Sequence, residues 1–467
     1  MAATKKTSRK DLINSILFIA IILAVGITTL LTPKENFSAY EKRALAPFPN
    51  FSKENFFSGE FFKGIETYYA DHFIFRISIT AFDKNIKALF GIKDDGVTLY
   101  ADAPKTDTNT AVTVNKQTKT EVAAIDAESN NPSTDEAPAP SETSDQSNGD
   151  DQDNFQNIKS IIVYQKRAIQ MFGGSERMIK SYAELANKYQ DELGPNVTVY
   201  VMAIPVGSDF YLPEKIKKHI NREKNNIDIL NANLKPSIVP VPAYENLAKH
   251  TNEYIQFNTD HHWTALGAYY AYQAFCKAAN VTALSLEAFT KKEIPNFLGT
   301  LYYRTLSNDL KENPDHVNYY MVPHQTDAYY YLKDSTKPIH GKTYVEFAKG
   351  SNAYGVFLGG DYPLMKIVSD VKNNKKILII KDSYGNAFSP YLTSHYEEVY
   401  IADYRYFNGN IKNLMQENKI NEILLAHNTY VLNGAFAISR EKGMLSHAAV
   451  SFKKPKDNVE PTGETQN

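Results

Sequence analysis

The sequence predicts an α/β protein, a three-layer α/β/α sandwich on a largely parallel sheet, with an apolar helix at its N-terminus. Three observations predict it. Short continuous apolar runs, Ile377–Ile380, Val399–Ala402 and Ile423–Ala426, read as strands buried on both faces. Helical stretches alternate with them. One uncharged run, Leu12 to Leu31, has the length of a bilayer crossing.

Lys5, Lys6, Arg9 and Lys10 precede that run, and a basic flank stays on the cytoplasmic side. The expectation is an uncleaved single-pass anchor in the cytoplasmic membrane, with everything after Pro33 outside. A cleaved signal peptide and a secreted product is the rival, although no A-x-A site closes the run. Residues 34–100 form a membrane-proximal segment expected to pack on the α/β domain. Its stretch Phe56–Phe90 is aromatic and aliphatic at helical spacing. Residues 101–154 contain no aromatic residue and carry 12 acidic against 3 basic side chains. Such a segment buries too little apolar area to offset chain entropy, and it is expected to be a disordered acidic linker. Residues 155–452 are the expected α/β domain, and 453–467 a polar tail.

Within that domain, Ser175–Leu193 reads as an amphipathic helix and Val197–Ile204 as a buried strand. Ile238–Pro242 is a short strand that its two prolines confine to an edge, with a helix following over Tyr244–His250. Thr264–Ala279 is a helix that Thr264 can cap. The YYMV, YYYL and TYVEF pieces between Asn308 and Tyr354 suggest a β-rich insertion, and Ile411–Lys419 is helical.

Composition excludes several functions. The 467 residues hold 51 basic and 53 acidic side chains, a net charge of −2, so no basic face is available for nucleic acid. One cysteine, Cys276, rules out an internal disulfide and a thiolate metal cluster, and its apolar surroundings favour a buried structural thiol. No GxGxxG, Walker or HExxH motif is present, and no cofactor is expected. Aromatics make up 12% of the chain, with 31 Tyr, and suit cores and interfaces as well as glycan surfaces.

Two constellations can carry chemistry. In Asn258-Thr259-Asp260-His261-His262-Trp263-Thr264, a carboxylate two residues before an imidazole can accept its Nδ1 proton and leave Nε2 as a base. The same residues read equally as a helix cap with packing histidines. Asp and two His are also zinc ligands, but adjacent histidines on most backbones point apart, and no metal is expected. In Lys381-Asp382-Ser383-Tyr384-Gly385-Asn386, a serine follows a buried strand and Gly385 permits a tight turn. Sites collect at such carboxyl ends, and backbone N–H groups there suit an oxyanion. An ordinary strand-to-helix turn would use the same residues. Together the two loops would supply orienter, base and nucleophile.

The motif FNTDHHWTALGAYYAY, with YADHFIFR, GGDYP, IIKDSYGN and SAYEKRALAPFP, resembles the DHHW protein family, which is related to the SGNH-like domains of periplasmic alginate O-acetyltransferases. The likeness spans roughly residues 35 to 435 apart from the acidic tract. It implies a circularly permuted SGNH-hydrolase-like fold, with Asp260 as orienter, His262 as base and Ser383 as nucleophile, His261 falling at the variable position. Lys381 stands where a GDS block would carry glycine. Further candidates for the oxyanion or substrate are Gly360, Asp361 and Tyr362 in a loop, Arg405 and Asn428 after strands, and Trp263. For Arg405 an ion pair with Asp403 is an equal alternative, and Trp263 is expected to pack the triad loop. The resemblance implies an O-acetyltransferase acting on a cell-envelope or secreted polysaccharide, partnered by a membrane-bound O-acyltransferase that supplies acetyl groups. An acetylesterase with the same triad and a non-catalytic glycan-binding scaffold are the alternatives.

Overall fold

A computed structural model describes residues 9–32, 34, 36–38, 43–76, 79, 98–101, 160–333 and 335–453. The acidic linker (apart from Ala101), most of the polar tail and the second half of the Phe56–Phe90 stretch lie outside the described residues.

An eight-stranded mixed sheet organises the molecule. Its order is Ile339–Gly341, Thr326–Tyr331, Leu364–Ser369, Glu398–Asp403, Lys376–Lys381, Glu422–Asn428, Thr198–Ile204 and Val239–Pro240. The last five strands run parallel, and the first three join antiparallel. A largely parallel sheet was the expectation. The difference is one flank: Leu364–Ser369 pairs antiparallel with Glu398–Asp403, and the β-rich insertion extends that flank with Thr326–Tyr331, which carries most of its YYYL piece, and Ile339–Gly341. YYMV lies in Asp315–Met321, which pairs instead with Thr290–Phe297 in a separate two-stranded sheet. TYVEF contributes only an isolated bridge between Tyr344 and Phe357. The proline-bearing strand is at the sheet edge, where its missing N–H costs no ladder bond.

Period-2 alternation divides the strands between two cores. Ile377, Ile379, Leu424, Ala426, Tyr200 and Met202 pack on one face with helices Ala265–Ala278 and Gly385–Leu392. Leu378, Ile380, Ile423, Leu425, Val199 and Val201 pack on the other with helices Glu176–Leu193, Glu223–Ala232, Ile411–Asn418 and Ala435–Met444. Both faces are apolar because both are covered, which is why these strands lack alternation in sequence. Ser175 and Thr264 cap their helices by accepting from Met178 N and Gly267 N.

Helix Arg9–Leu31 presents Ile16, Leu17, Phe18, Ile22 and Leu23 at the surface. Among the described residues no helix is long and apolar enough to cross a membrane. The anchor expected from the sequence therefore has no described span to support it.

Candidate active site

Strand Lys376–Lys381 lies between Glu398–Asp403 and Glu422–Asn428, all parallel, with Lys381 paired to Asp403 on one side and Ala426 on the other. The chain leaves it to the first neighbour and later crosses to the second. That is a topological switch point, where carboxyl-end loops splay apart and leave a crevice. Ser383 emerges there, two residues beyond the strand. The chain then turns sharply into helix Gly385–Leu392, Gly385 N donating to Asp382 O at 2.9 Å. A Cβ on Gly385 would fall 2.5 Å from Lys381 Cβ, so only glycine lets the helix fold back against the strand.

The second loop approaches from the start of helix Ala265–Ala278. Trp263 is fully buried, and its Nε1 donates to Tyr384 O at 3.0 Å, tying the two loops together. Tyr384 OH donates back to His261 O. With the loops so joined, His262 Nε2 lies 2.7 Å from Ser383 Oγ, and His262 Nδ1 lies 2.6 Å from Asp260 Oδ1. All three side chains are buried. The contacts thus run unbroken from carboxylate through imidazole to serine hydroxyl, the geometry that an orienter, a base and a nucleophile would require.

Asp260 is held from the far side. Its Oδ2 accepts from Thr300 N at 2.7 Å and Thr300 Oγ1 at 3.0 Å, and its Oδ1 also accepts from His262 N. Gly299 passes so close that a Cβ there would sit 2.2 Å from Asp260 Cβ. The loop base is fixed by Asp315, which accepts from Asn258 N, Thr259 N, Thr259 Oγ1 and Tyr254 OH. Burial pushes the Asp315 carboxyl up, and those four donors offset part of that cost. Tyr354 stacks on His262 with ring centroids 3.9 Å apart and donates its OH to Ser383 O. Thr300, Tyr354 and Asp315 carried no motif signal, because each reaches the site from a separate segment.

The remaining candidates fall differently. Arg405 does not stand free as a sugar-binding wall: it pairs with Asp403 at 2.8 Å and with Asp361 at 2.7 Å. Lys381 joins the same cluster at 2.5 Å from Asp361 and 2.7 Å from Asp403, which gives the residue in the glycine position a structural task. Burial pushes the Asp361 carboxyl up, but Arg405 and Lys381 outweigh it and hold it well below the carboxylate range. Asn386 Nδ2 donates to Asp361 as well. Tyr362 stacks on Tyr330, with centroids 4.3 Å apart, and Gly359 and Gly360 both take positive φ. No contact brings Gly360 or Tyr362 to Ser383. Asn428 N donates to Asp382 Oδ2 at 2.7 Å, and its Oδ1 caps Tyr430 N and Val431 N. Its amide NH₂ is the part not committed to that cap. Trp263 packs the loop and offers no face to a glycan.

The histidines do not point apart. Their ring centroids are 3.8 Å from each other, and donor atoms of Asp260, His261 and His262 lie within 4.8 Å, a group able to hold a metal ion. Each ring is already engaged, however: His262 through both nitrogens and His261 Nδ1 with Thr300 Oγ1 at 2.6 Å. A metal would have to displace those bonds.

Fold and site define a mixed α/β protein with a Ser-His-Asp constellation at a parallel strand end. The family model described as DHHW protein matches residues 41–402, and the chain belongs to that family. A DHHW family protein from Eubacterium siraeum is 31% identical, covering 63% of this chain and 96% of that one, with a TM-score of 0.55. Bacillus cereus PatB1, in a structure bearing a sulfonyl adduct, is 20% identical over 60% of this chain and 98% of its own, with a TM-score of 0.51. No curated protein matches the chain.

Proposed function

We infer that this chain is an extracytoplasmic acyltransferase of the acetyl-transferring kind, working through a serine acyl-enzyme on a circularly permuted SGNH-like fold. The observation that carries the reading is the unbroken contact from Asp260 through His262 to Ser383, the last two lying 121 residues apart in sequence. A glycan-binding scaffold has no need to hold a serine 2.7 Å from an imidazole that a carboxylate orients.

In the first half-reaction His262 Nε2 takes the Ser383 hydroxyl proton as Oγ attacks the acetyl carbonyl. The tetrahedral oxyanion forms beside the turn into helix Gly385–Leu392, where the helix dipole and the Asn428 amide favour negative charge. His262 returns the proton to the leaving group, and the acetyl remains on Ser383. In the second half-reaction an acceptor hydroxyl gives its proton to His262 and attacks the acyl carbon; the bond from that carbon to Ser383 Oγ breaks, His262 returns the proton to Oγ, and the acetylated acceptor leaves. Asp260 stabilises the imidazolium in both halves. Burial of the triad beneath Tyr354 keeps water away and favours a hydroxyl acceptor over hydrolysis.

The acceptor in this reading is a cell-envelope or secreted polysaccharide. The uncharged sequence run Leu12–Leu31 behind its basic flank supports a membrane anchor with the domain outside, and a membrane-bound O-acyltransferase supplies acetyl groups made in the cytoplasm. The test is to incubate the full chain with an activated acetyl ester and weigh the intact protein. A single acetyl adduct absent from Ser383→Ala and His262→Ala supports the reading. An adduct that persists in both variants overturns it. Adding oligosaccharide then separates transferase from acetylesterase.

A further inference from the structure

Behind the nucleophile turn lies a second line of ionisable side chains that the proposed chemistry does not use. His427, in the last turn of strand Glu422–Asn428, is completely buried, as are Asp382 and Glu441 on either side of it. Its Nδ1 faces Asp382 Oδ2 at 3.6 Å and its Nε2 faces Glu441 Oε1 at 3.1 Å. These are ion-pair distances without hydrogen-bond alignment, so both ring nitrogens are orphaned in that sense. The other groups facing the ring are Tyr182, with centroids 6.0 Å apart, and Tyr404, 5.5 Å apart, both edge-on. Tyr182 OH also donates to Glu441 Oε2 at 3.1 Å.

Asp382 is the residue before Ser383, and its two oxygens do separate work. Oδ1 accepts from Tyr384 N at 2.8 Å, inside the nucleophile turn. Oδ2 accepts from Asn428 N at 2.7 Å, on the neighbouring strand end. One buried carboxylate thus sets the spacing between the serine and the asparagine loop. A carboxylate in that position must stay ionised to accept both bonds, and His427 is the only cation the described contacts place against it. We propose that His427, held between Asp382 and Glu441, is a positioning residue that fixes the Ser383 turn relative to the Asn428 turn.

The cluster is pH-sensitive with a definite sign. Burial alone would push the His427 imidazole down, but Glu441 and Asp382 outweigh it and raise it to about 9. A group raised above its unfolded value contributes fully below that value, about 6.5, and loses its contribution as pH rises through the folded one. Above pH 9 the two carboxylates would face a neutral ring, Asp382 would lose its counter-charge, and the turn would loosen. His427 never touches substrate, so its loss should change turnover and spare binding of a small ester.

The inference rests on the acyl-enzyme reading, and the experiment separates the two. The full chain is first treated with a sulfonyl fluoride and with p-nitrophenyl acetate. Failure of the wild type to take one label at Ser383 would end the acyl-enzyme reading itself. With label incorporated, His427→Gln is expected to lower kcat about tenfold to a hundredfold with KM within about twofold, as for a displaced oxyanion group. Glu441→Gln keeps the shape of the cluster but removes one charge, and should move the alkaline limb of the kcat profile to lower pH. Leu414→Ala, in the core on the same face of the sheet, serves as a control that destabilises without touching the cluster. An unchanged alkaline limb in both His427→Gln and Glu441→Gln, or the same limb shift in Leu414→Ala, overturns the proposal.

Discussion

Gly299 offers the sharpest test of how the triad is aligned. Replacing it with alanine places a Cβ 2.2 Å from Asp260 Cβ and 2.4 Å from Asp260 Oδ2. An ordinary contact begins near 3.4 Å, so one partner must give by 3.4 − 2.2 = 1.2 Å. Asp260 cannot move that far and keep both Thr300 N at 2.7 Å and His262 Nδ1 at 2.6 Å. Misplacement of about 1 Å at a catalytic group costs on the order of a hundredfold in rate. Loss of the correct imidazole tautomer costs about ten-thousandfold in a related triad. Gly299→Ala is therefore expected to lower kcat/KM for a chromogenic acetyl ester by roughly a hundredfold, between no effect and full loss of the orienter. Overpacking should take about 1–3 kcal/mol from stability, leaving a folded protein to assay. Steady-state hydrolysis and a thermal melt would be measured on the same preparation. A folded Gly299→Ala protein within about threefold of wild type would refute the view that Asp260 is held in place from the Thr300 side.

Other outcomes follow from the same contacts. Lys381→Met leaves Asp361 and Asp403 with Arg405 alone as buried counter-charge, and should destabilise by about 3–5 kcal/mol in a denaturant titration. Burial raises the Glu398 carboxyl, but Lys366 and Lys376 outweigh it and lower it to about 2. Its stabilising contribution is present above about 4.5 and lost as pH falls toward 2, so Glu398→Gln should flatten the acid-unfolding curve across that window. Tyr354→Ala removes the ring stacked on His262, and should raise hydrolysis relative to transfer, read as the ratio of free acetate to acetylated sugar when oligosaccharide is present. Because both His262 nitrogens are engaged within the triad, chelator treatment should leave ester turnover unchanged and added zinc should inhibit it; activation by zinc would favour a metal site.

The mixed α/β architecture was legible because its signal is local. Ile377–Ile380, Val399–Ala402 and Ile423–Ala426 are apolar at every position since both faces are covered, and Ser175 and Thr264 mark helix starts through their own caps. Asp260, His262 and Ser383 could be singled out as candidates for the same reason: each stands in a short motif at an element boundary. What pairs an imidazole with a serine 121 residues away is not local: it depends on the contacts of Trp263 and His261 with Tyr384 and of Tyr354 with both loops. The antiparallel flank depends on which apolar strand finds which edge, and periodicity does not encode that choice. For Arg405 the sequence offered an ion pair with Asp403 as one of two readings, but it gave no sign of Asp361, 44 positions earlier. Thr300, Tyr354 and His427 had no motif at all. Thr300 and Tyr354 are half-buried and His427 is fully buried, and the contacts of each are with partners that only the tertiary structure supplies.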